Sequence, residues 1–388
     1  MKNFRFYNPT EIIFGRGTIA KLKELLPKKA RVMLLYGGGS IKRNGVYDQV
    51  MAALSKHHVV EFGGIEPNPD YNTLMKAVKE VKKKKVDFLL AVGGGSVIDG
   101  TKFIAVAAEY QGDNPWHLLS RDEASKATSA LPLGAVLTLP ATGSEFNHNS
   151  VISRREKRVK FSFKSDLVFP QFSILDPETT YTLPLKQVRN GIVDAYVHVL
   201  EQYLTYPACG IVQDRQAEAL LLALIESAPK AMQTDPVDYD GRANYMWAAS
   251  NALNHLIGAG VPQDWATHSI GHELTAMYGL DHAETLAVIL PWLCWYKREQ
   301  KKEKLLQYGE RVFGIKSGKL DDRVDQTILA TAAFFQSVGM PTTLSSYDVD
   351  PDEAAEIIQK RFEKRGTVLG EHDDIDGAAA AAIVRMSR

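Results

Sequence analysis

Cysteine is almost missing from this 388-residue chain, with only Cys209 and Cys294 present. Two cysteines build neither a disulfide scaffold nor a thiolate zinc site. They suit a reducing compartment, so a cytoplasmic location is the expectation. Excess charge is also lacking: Lys+Arg and Asp+Glu both number 46. No net field draws such a chain to nucleic acid or to an anionic membrane. Long apolar runs are scarce, and "LAVILPWLCWY" at 286–296 falls far short of a bilayer span. The opening "MKNFRFYNPTEII" has no apolar stretch of the secretion-signal kind. Two signatures fail as well. Neither glycine-rich loop fits G-x-G-x-x-G or the P-loop. "HSIGHELTAMYGLDH" at 268–282 begins like a zinc-protease motif, but Ala276 stands where the second histidine belongs.

What is present reads as two domains, the default for this length. Hydrophobic residues make up 45% and charged residues 24%, as in an ordinary globular protein. The first half alternates strand and helix signals. "RVMLLYGGGS" (31–40), "HVVEFGGI" (58–65), "DFLLAVGGGS" (87–96) and "LGAVLTLPATGSE" (133–145) are apolar runs stopped by glycine or polar turns. "YNTLMKAVKEVKKKK" (71–85) has helical spacing and a lysine-rich end that suits the helix dipole. Continuous apolar strands separated by helices imply a mainly parallel sheet with helices on both faces. From about Pro184 the periodicity is helical, with candidates at 186–205, 211–232, 242–258, 264–278, 283–298, 321–337, 350–364 and 376–387. The fold class is therefore an α/β dinucleotide-binding domain at 1–182 followed by an all-α domain at 183–388. The break falls near "LDPETTYTLP" (175–184).

Two strands end in GGGS, at Gly37–Ser40 and Gly93–Ser96. Such loops let the backbone approach a ligand and aim N–H groups at it. A helix is expected after Ser96, with Asp99 in its first turn, where phosphate would gain from the dipole. A tight turn is the bland alternative. Two such loops at strand ends favour a nucleotide, because open α/β sheets bind ligands beyond their strand carboxyl ends. The first loop has no acid at its strand end to repel a 2′-phosphate. Ser40, Lys42 and Arg43 follow instead, which favours NADP over NAD.

"NGIVDAYVHVLEQYL" (190–204) is apolar on nearly every side, as a buried helix is. Asp194 and His198 share one face of it, four apart. A buried carboxylate must be answered by a positive partner or by a metal. His268 and His272 lie on one face of a second helix that Gly279 ends, and His282 follows. Imidazoles with one carboxylate suit zinc or iron(II) rather than magnesium or calcium. Three or four ligands with one open position describe a catalytic site.

These stretches, with "LTLPATGSE" (137–145) and "LDPETTYTLPLKQVRNGIVDAYVHVLEQY" (175–203), resemble the iron-containing (group III) alcohol dehydrogenases over nearly the whole chain. The likeness is greatest to the branch of NADPH-dependent aldehyde reductases and butanol dehydrogenases. The resemblance implies metal ligands at Asp194, His198, His268 and His282, with His272 near the substrate and outside the ligand set. One helical turn from His268, His272 is expected to relay the proton or orient substrate, and Glu273 is then no catalytic base. The resemblance implies NADP(H) along Gly37, Gly38, Ser40, Asn68, Gly94, Gly95, Ser96, Asp99, Thr138, Thr142, Asn147 and Lys160. It implies a homodimer acting on small aldehydes or primary alcohols, with the site in the cleft between domains. Phe146, His148 and Asn149 are bulkier or more polar than the family pattern beside the nicotinamide. His148 lines the pocket or sits on an exposed loop. A polyol dehydrogenase, an NAD-using metal lyase and a non-catalytic binding protein are the rival readings. The mainly apolar, neutral segments around the candidate ligands favour a small neutral substrate.

Overall fold

The computed structural model describes all residues, 1–388. It divides into two compact units. One comprises Tyr7–Pro184 with Thr234–Ser250; the other comprises Met1–Phe6, Leu185–Gln233 and Asn251–Arg388.

The first unit is built on eight strands: β1 (Glu11–Phe14), β2 (Arg31–Tyr36), β3 (His58–Phe62), β4 (Phe88–Gly94), β5 (Leu133–Leu139), β6 (Asn149–Arg154), β7 (Val159–Lys164) and β8 (Phe172–Leu175). Six form a parallel sheet in the order β1-β8-β5-β4-β2-β3. Alternation along its strands explains why they read as unbroken apolar runs. Met33, Leu35, Leu89, Ala91, Ala135 and Leu137 enter one core cluster. Val32, Leu34, Phe88, Leu90, Val92 and Val136 enter another. Residues of successive parity point to opposite faces of a strand, so both faces of this sheet are buried.

The short strands β1 and β8 and the antiparallel hairpin β6–β7 do not stand out in the sequence. The hairpin is docked by Asp70, which caps the helix Tyr71–Lys84 by accepting the Asn72 N–H at 3.0 Å with one oxygen and accepts the Arg155 N–H at 2.9 Å with the other. The helix after the second glycine loop begins at Gly95, not after Ser96, so Asp99 lies beyond its first turn. Most of the helix Tyr239–Ala252 groups with the sheet. It ends six residues earlier than the periodicity predicts, ahead of the "GAG" at 258–260.

The second unit is helical: Leu185–Tyr203, Ile211–Ala231, Ala266–Tyr278, His282–Tyr296, Lys302–Val312, Leu320–Ser337, Pro351–Arg365 and Gly377–Met386. Lys302–Val312 was not among the helices its composition suggests, because lysines and glutamates leave it a narrow apolar stripe of Leu305, Tyr308 and Val312. No helix is long and apolar enough to cross a membrane.

Candidate metal centre and cofactor loops

The helix Leu185–Tyr203 is buried almost throughout from Val188 onward, and it carries Asp194 and His198 inward, 3% and 4% exposed. The helix Ala266–Tyr278 carries His268 and His272. Gly279, in the left-handed region at φ 72°, stops that helix. Two residues later a capping box starts the next one, with the Glu284 side chain accepting the Asp281 N–H at 2.9 Å. Lys186 reaches Asp281 at 2.9 Å and Glu284 at 3.0 Å, and Asn190 donates to Asp281 at 3.0 Å. "YGLDHAE" therefore fixes His282 as the first residue of its helix, tied back to the helix that bears Asp194.

Donor atoms of Asp194, His268 and His282 all lie within 4.8 Å of one another. Asp194 Oδ1 is 3.8 Å from Nε2 of His268 and 3.8 Å from Nε2 of His282. His198 adjoins them, its Nε2 3.1 Å from His268 Nε2 and its Nδ1 3.5 Å from Asp194 Oδ1. Ligand atoms around a tetrahedral zinc, with bonds of about 2.0–2.1 Å, lie about 3.3 Å apart. Asp194, His268 and His282 thus have the spacing as well as the chemistry to hold one divalent ion, and His198 lies against two of them. Burial pushes the His198 imidazole down to about 4, against the pull of Asp194. Burial also lowers His268, but Glu201 and Asp194 outweigh it and hold this ring up at about 9. The two directions agree with the geometry, since facing Nε2 atoms 3.1 Å apart share one proton or one cation.

His272 stands beside this group, half-buried, with ring centroids 5.1 Å from His282 and 6.3 Å from His268. Glu273 points elsewhere and takes salt bridges from Arg361 and Arg365, each at 2.7 Å. It ties two helices together and is spent there. Sequence reasoning overlooked Glu201, which accepts hydrogen bonds from the ring Nδ1–H and the backbone N–H of His268. The available signal was a further acid in an apolar helix, one turn after His198.

In the first unit the two glycine loops follow adjacent strands, β2 and β4. A Cβ at Gly37 would meet the Ile65 carbonyl at 3.2 Å and Val97 at 3.7 Å, and one at Gly95 would meet Thr142 Oγ1 at 2.4 Å. Asn68 joins them: its N–H donates to Ser96 Oγ at 3.2 Å, and its side-chain oxygen accepts from Lys160 Nζ at 2.9 Å. Thr138 lies within β5 and Thr142 in the turn after it. Gly38 and Ser40 are exposed.

Two of the cofactor candidates are engaged inside the unit. Asp99 accepts the Ser144 hydroxyl at 2.5 Å and the Val151 N–H at 3.0 Å, and burial raises its carboxyl. The Asn147 side chain accepts from Lys102 Nζ at 3.0 Å and from the Asn149 N–H at 2.9 Å. Lys102, fully buried, also donates to the carbonyls of Asn147 and Asn149. This buried ammonium, which the sequence reading passed over, pins the loop after β5. Phe146 stacks on Trp247, and His148 pairs with Asp166 at 2.9 Å while packing on Phe169.

The first loop is not without an acid. Glu61, on the neighbouring strand β3, accepts from Lys42 at 2.9 Å, Tyr36 at 3.1 Å and Tyr47 at 2.6 Å. Lys42 is thereby committed, and Ser40 and Arg43 remain as the polar groups of that turn. Reading along one strand missed this carboxylate because the adjacent strand supplies it.

Comparison with known proteins agrees with this layout. The model for "Iron-containing alcohol dehydrogenase" matches residues 9–177, and that for "Fe-containing alcohol dehydrogenase family, C-terminal" matches 189–374. The chain is 57% identical to the NADPH-dependent aldehyde reductase YqhD of Escherichia coli, over 100% of both chains. A crystal structure of E. coli YqhD superposes with a TM-score of 0.97, at 55% identity, covering 100% of this chain and 99% of that one. A probable NADH-dependent butanol dehydrogenase of Bacillus subtilis is 42% identical over 100% of both chains.

Proposed function

We propose that this chain, which belongs to the iron-containing alcohol dehydrogenase family, reduces small aldehydes to primary alcohols with NADPH and runs the reverse oxidation with NADP⁺. In the forward direction an aldehyde, NADPH and a proton give a primary alcohol and NADP⁺. A divalent ion, zinc or iron(II), would be held by Asp194, His198, His268 and His282, and the nicotinamide would lie along the glycine loops. The ion supplies Lewis-acid stabilisation of charge on the substrate oxygen, and the cofactor supplies the hydride.

The chain's own residues do the rest. Gly37, Gly94 and Gly95 let the loops pack against Ile65, Leu139 and Thr142, Gly38 faces open space, and the helix Gly95–Glu109 starts there with N–H groups that would receive the pyrophosphate. Lys160, aligned by Asn68, offers a cation beside that backbone. Asp99, Asn147 and Lys102 act from below by holding the loop that carries Thr142. His272, the half-buried imidazole packed beside His282 and outside the proposed ligand set, is suited to carry the proton to or from the substrate oxygen.

The observation that carries this reading is the approach of Asp194, His268 and His282 from three helices, their donor atoms all within 4.8 Å of one another, with His198 beside them. The preference for NADPH rests on Ser40 and Arg43 and on the 57% identical relative, whereas the 42% identical relative is described as NADH-dependent. The test is to follow NADPH absorbance with butanal, glycerol and a phosphorylated sugar in parallel, and to repeat it with NADH. Turnover of butanal with NADPH supports the reading. Turnover of glycerol alone favours a polyol dehydrogenase, and equal rates with NADH contradict the cofactor assignment. A homodimer in the cytoplasm is proposed from the resemblance, together with the two unpaired cysteines. Sedimentation of the purified protein tests the first of these.

A further inference from the structure

Building on the metal reading above, we propose that Glu201 is the positioning residue of the centre: it fixes His268 as the Nδ1–H tautomer, presents Nε2 to the cation, and so sets how tightly the cation is held. Glu201 lies one helical turn beyond His198 and is 3% exposed. One of its oxygens accepts the ring Nδ1–H of His268, and the other accepts the His268 backbone N–H at 3.2 Å. Two bonds to one residue fix both the ring and the helix turn that bears it. With Nδ1 committed as a donor, the neutral ring has its lone pair on Nε2. That nitrogen is the one facing His198 and Asp194. A carboxylate behind a ligating imidazole orients it and raises its basicity.

The surroundings leave Glu201 no other ionic role. His268 is its one ion-pair partner. Its backbone carbonyl accepts the Asp264 N–H at 2.8 Å, and Asp264 in turn accepts the Ala266 N–H at 2.9 Å at the start of the His268 helix. Behind the carboxylate is a cavity with room for roughly one water, lined among others by Asp264, Thr267, Cys294 and Lys301. The buried Lys301 ammonium is the nearest cation of that cavity, but it is taken by Asp264 at 2.9 Å, Glu371 at 2.7 Å and the Leu204 carbonyl at 2.6 Å.

The experiment titrates metal-stripped protein with zinc against a competing chelator, using wild type, Glu201→Gln and Glu201→Ala. The alanine variant should bind zinc about 10–100-fold more weakly, the range for lost partners behind a metal ligand. The glutamine variant should lose less. Its amide oxygen can accept one of the two N–H groups, while its NH₂ opposes the other. Thermal unfolding of the stripped proteins identifies any variant that has lost its fold; should alanine fail there, glutamine decides. Folded variants that hold zinc as tightly as wild type overturn the role of Glu201 and leave the metal reading standing. A wild type that takes up no zinc overturns both.

Discussion

The two constellations are made in opposite ways. The cofactor loops of the sheet unit are built from what side chains leave out: glycines at strand ends, contiguous in sequence, with the sheet order alone making them neighbours. The metal centre of the helical unit is built from two pairs of side chains, Asp194 with His198 and His268 with His282, that lie 70 residues apart at their nearest, and it exists only after three helices converge. The first is a statement about backbone, the second about side-chain rotamers held by partners. They should therefore fail differently when disturbed.

The largest break is expected at the centre. His268→Ala should lose the ion and reduce the rate by on the order of 10³-fold, the scale of several kcal/mol of charge stabilisation. NADPH binding, read by fluorescence, should survive it. Metal retained at full occupancy would remove His268 from the ligand set. His272→Ala should keep the ion yet lose about 10²-fold in rate and change its pH profile, as loss of a proton relay does. An unaltered profile would strike His272 from the mechanism.

The mirror experiment is Gly95→Ala. The new Cβ would meet Thr142 Oγ1 at 2.4 Å and Thr142 Cβ at 3.0 Å, so the loop must shift. Overpacking of this kind costs about 1–3 kcal/mol, which corresponds to roughly tenfold to hundredfold in NADPH affinity if it falls on the bound form. Metal content measured on the same sample should not change; a loss there would show that the two sites are not separable.

The smallest effect concerns Lys102, which pins the loop from below. Burial pushes its ammonium down to about 8, against the pull of Asp99 and Glu145. The folded chain then binds fewer protons than the unfolded chain between about pH 8 and the ordinary lysine value of 10.5. The penalty is present below that window and is relieved as pH rises through it, so stability gains with pH there. Urea unfolding of wild type and Lys102→Met across pH 7–10 should show the gain in wild type alone.

The same contrast governs how much was legible beforehand. The apolar runs ending at Tyr36 and Gly94 gave away both the parallel sheet and its loops, because glycine and strand periodicity are local signals. His282 could be placed since Gly279 and the Asp281–Glu284 box are local too. Glu61, Lys102 and Glu201 escaped because each acts on a residue from another strand, loop or helix. Glu61 answers Lys42 across the sheet, Lys102 answers Asn147 and Asn149, and Glu201 answers His268. No spacing within one segment announces such partners. The strands β1 and β8 escaped for a different reason: four residues each are too few to set a period.

The account stands or falls on whether the helical centre is needed for the reaction proposed for the whole chain. The direct measurement is NADPH oxidation with butanal by one preparation before chelation, after chelation, and after zinc or iron(II) is returned, with metal content determined each time. The account predicts activity that disappears with the ion and comes back with it. Metal-free protein that reduces butanal at the full rate would contradict it.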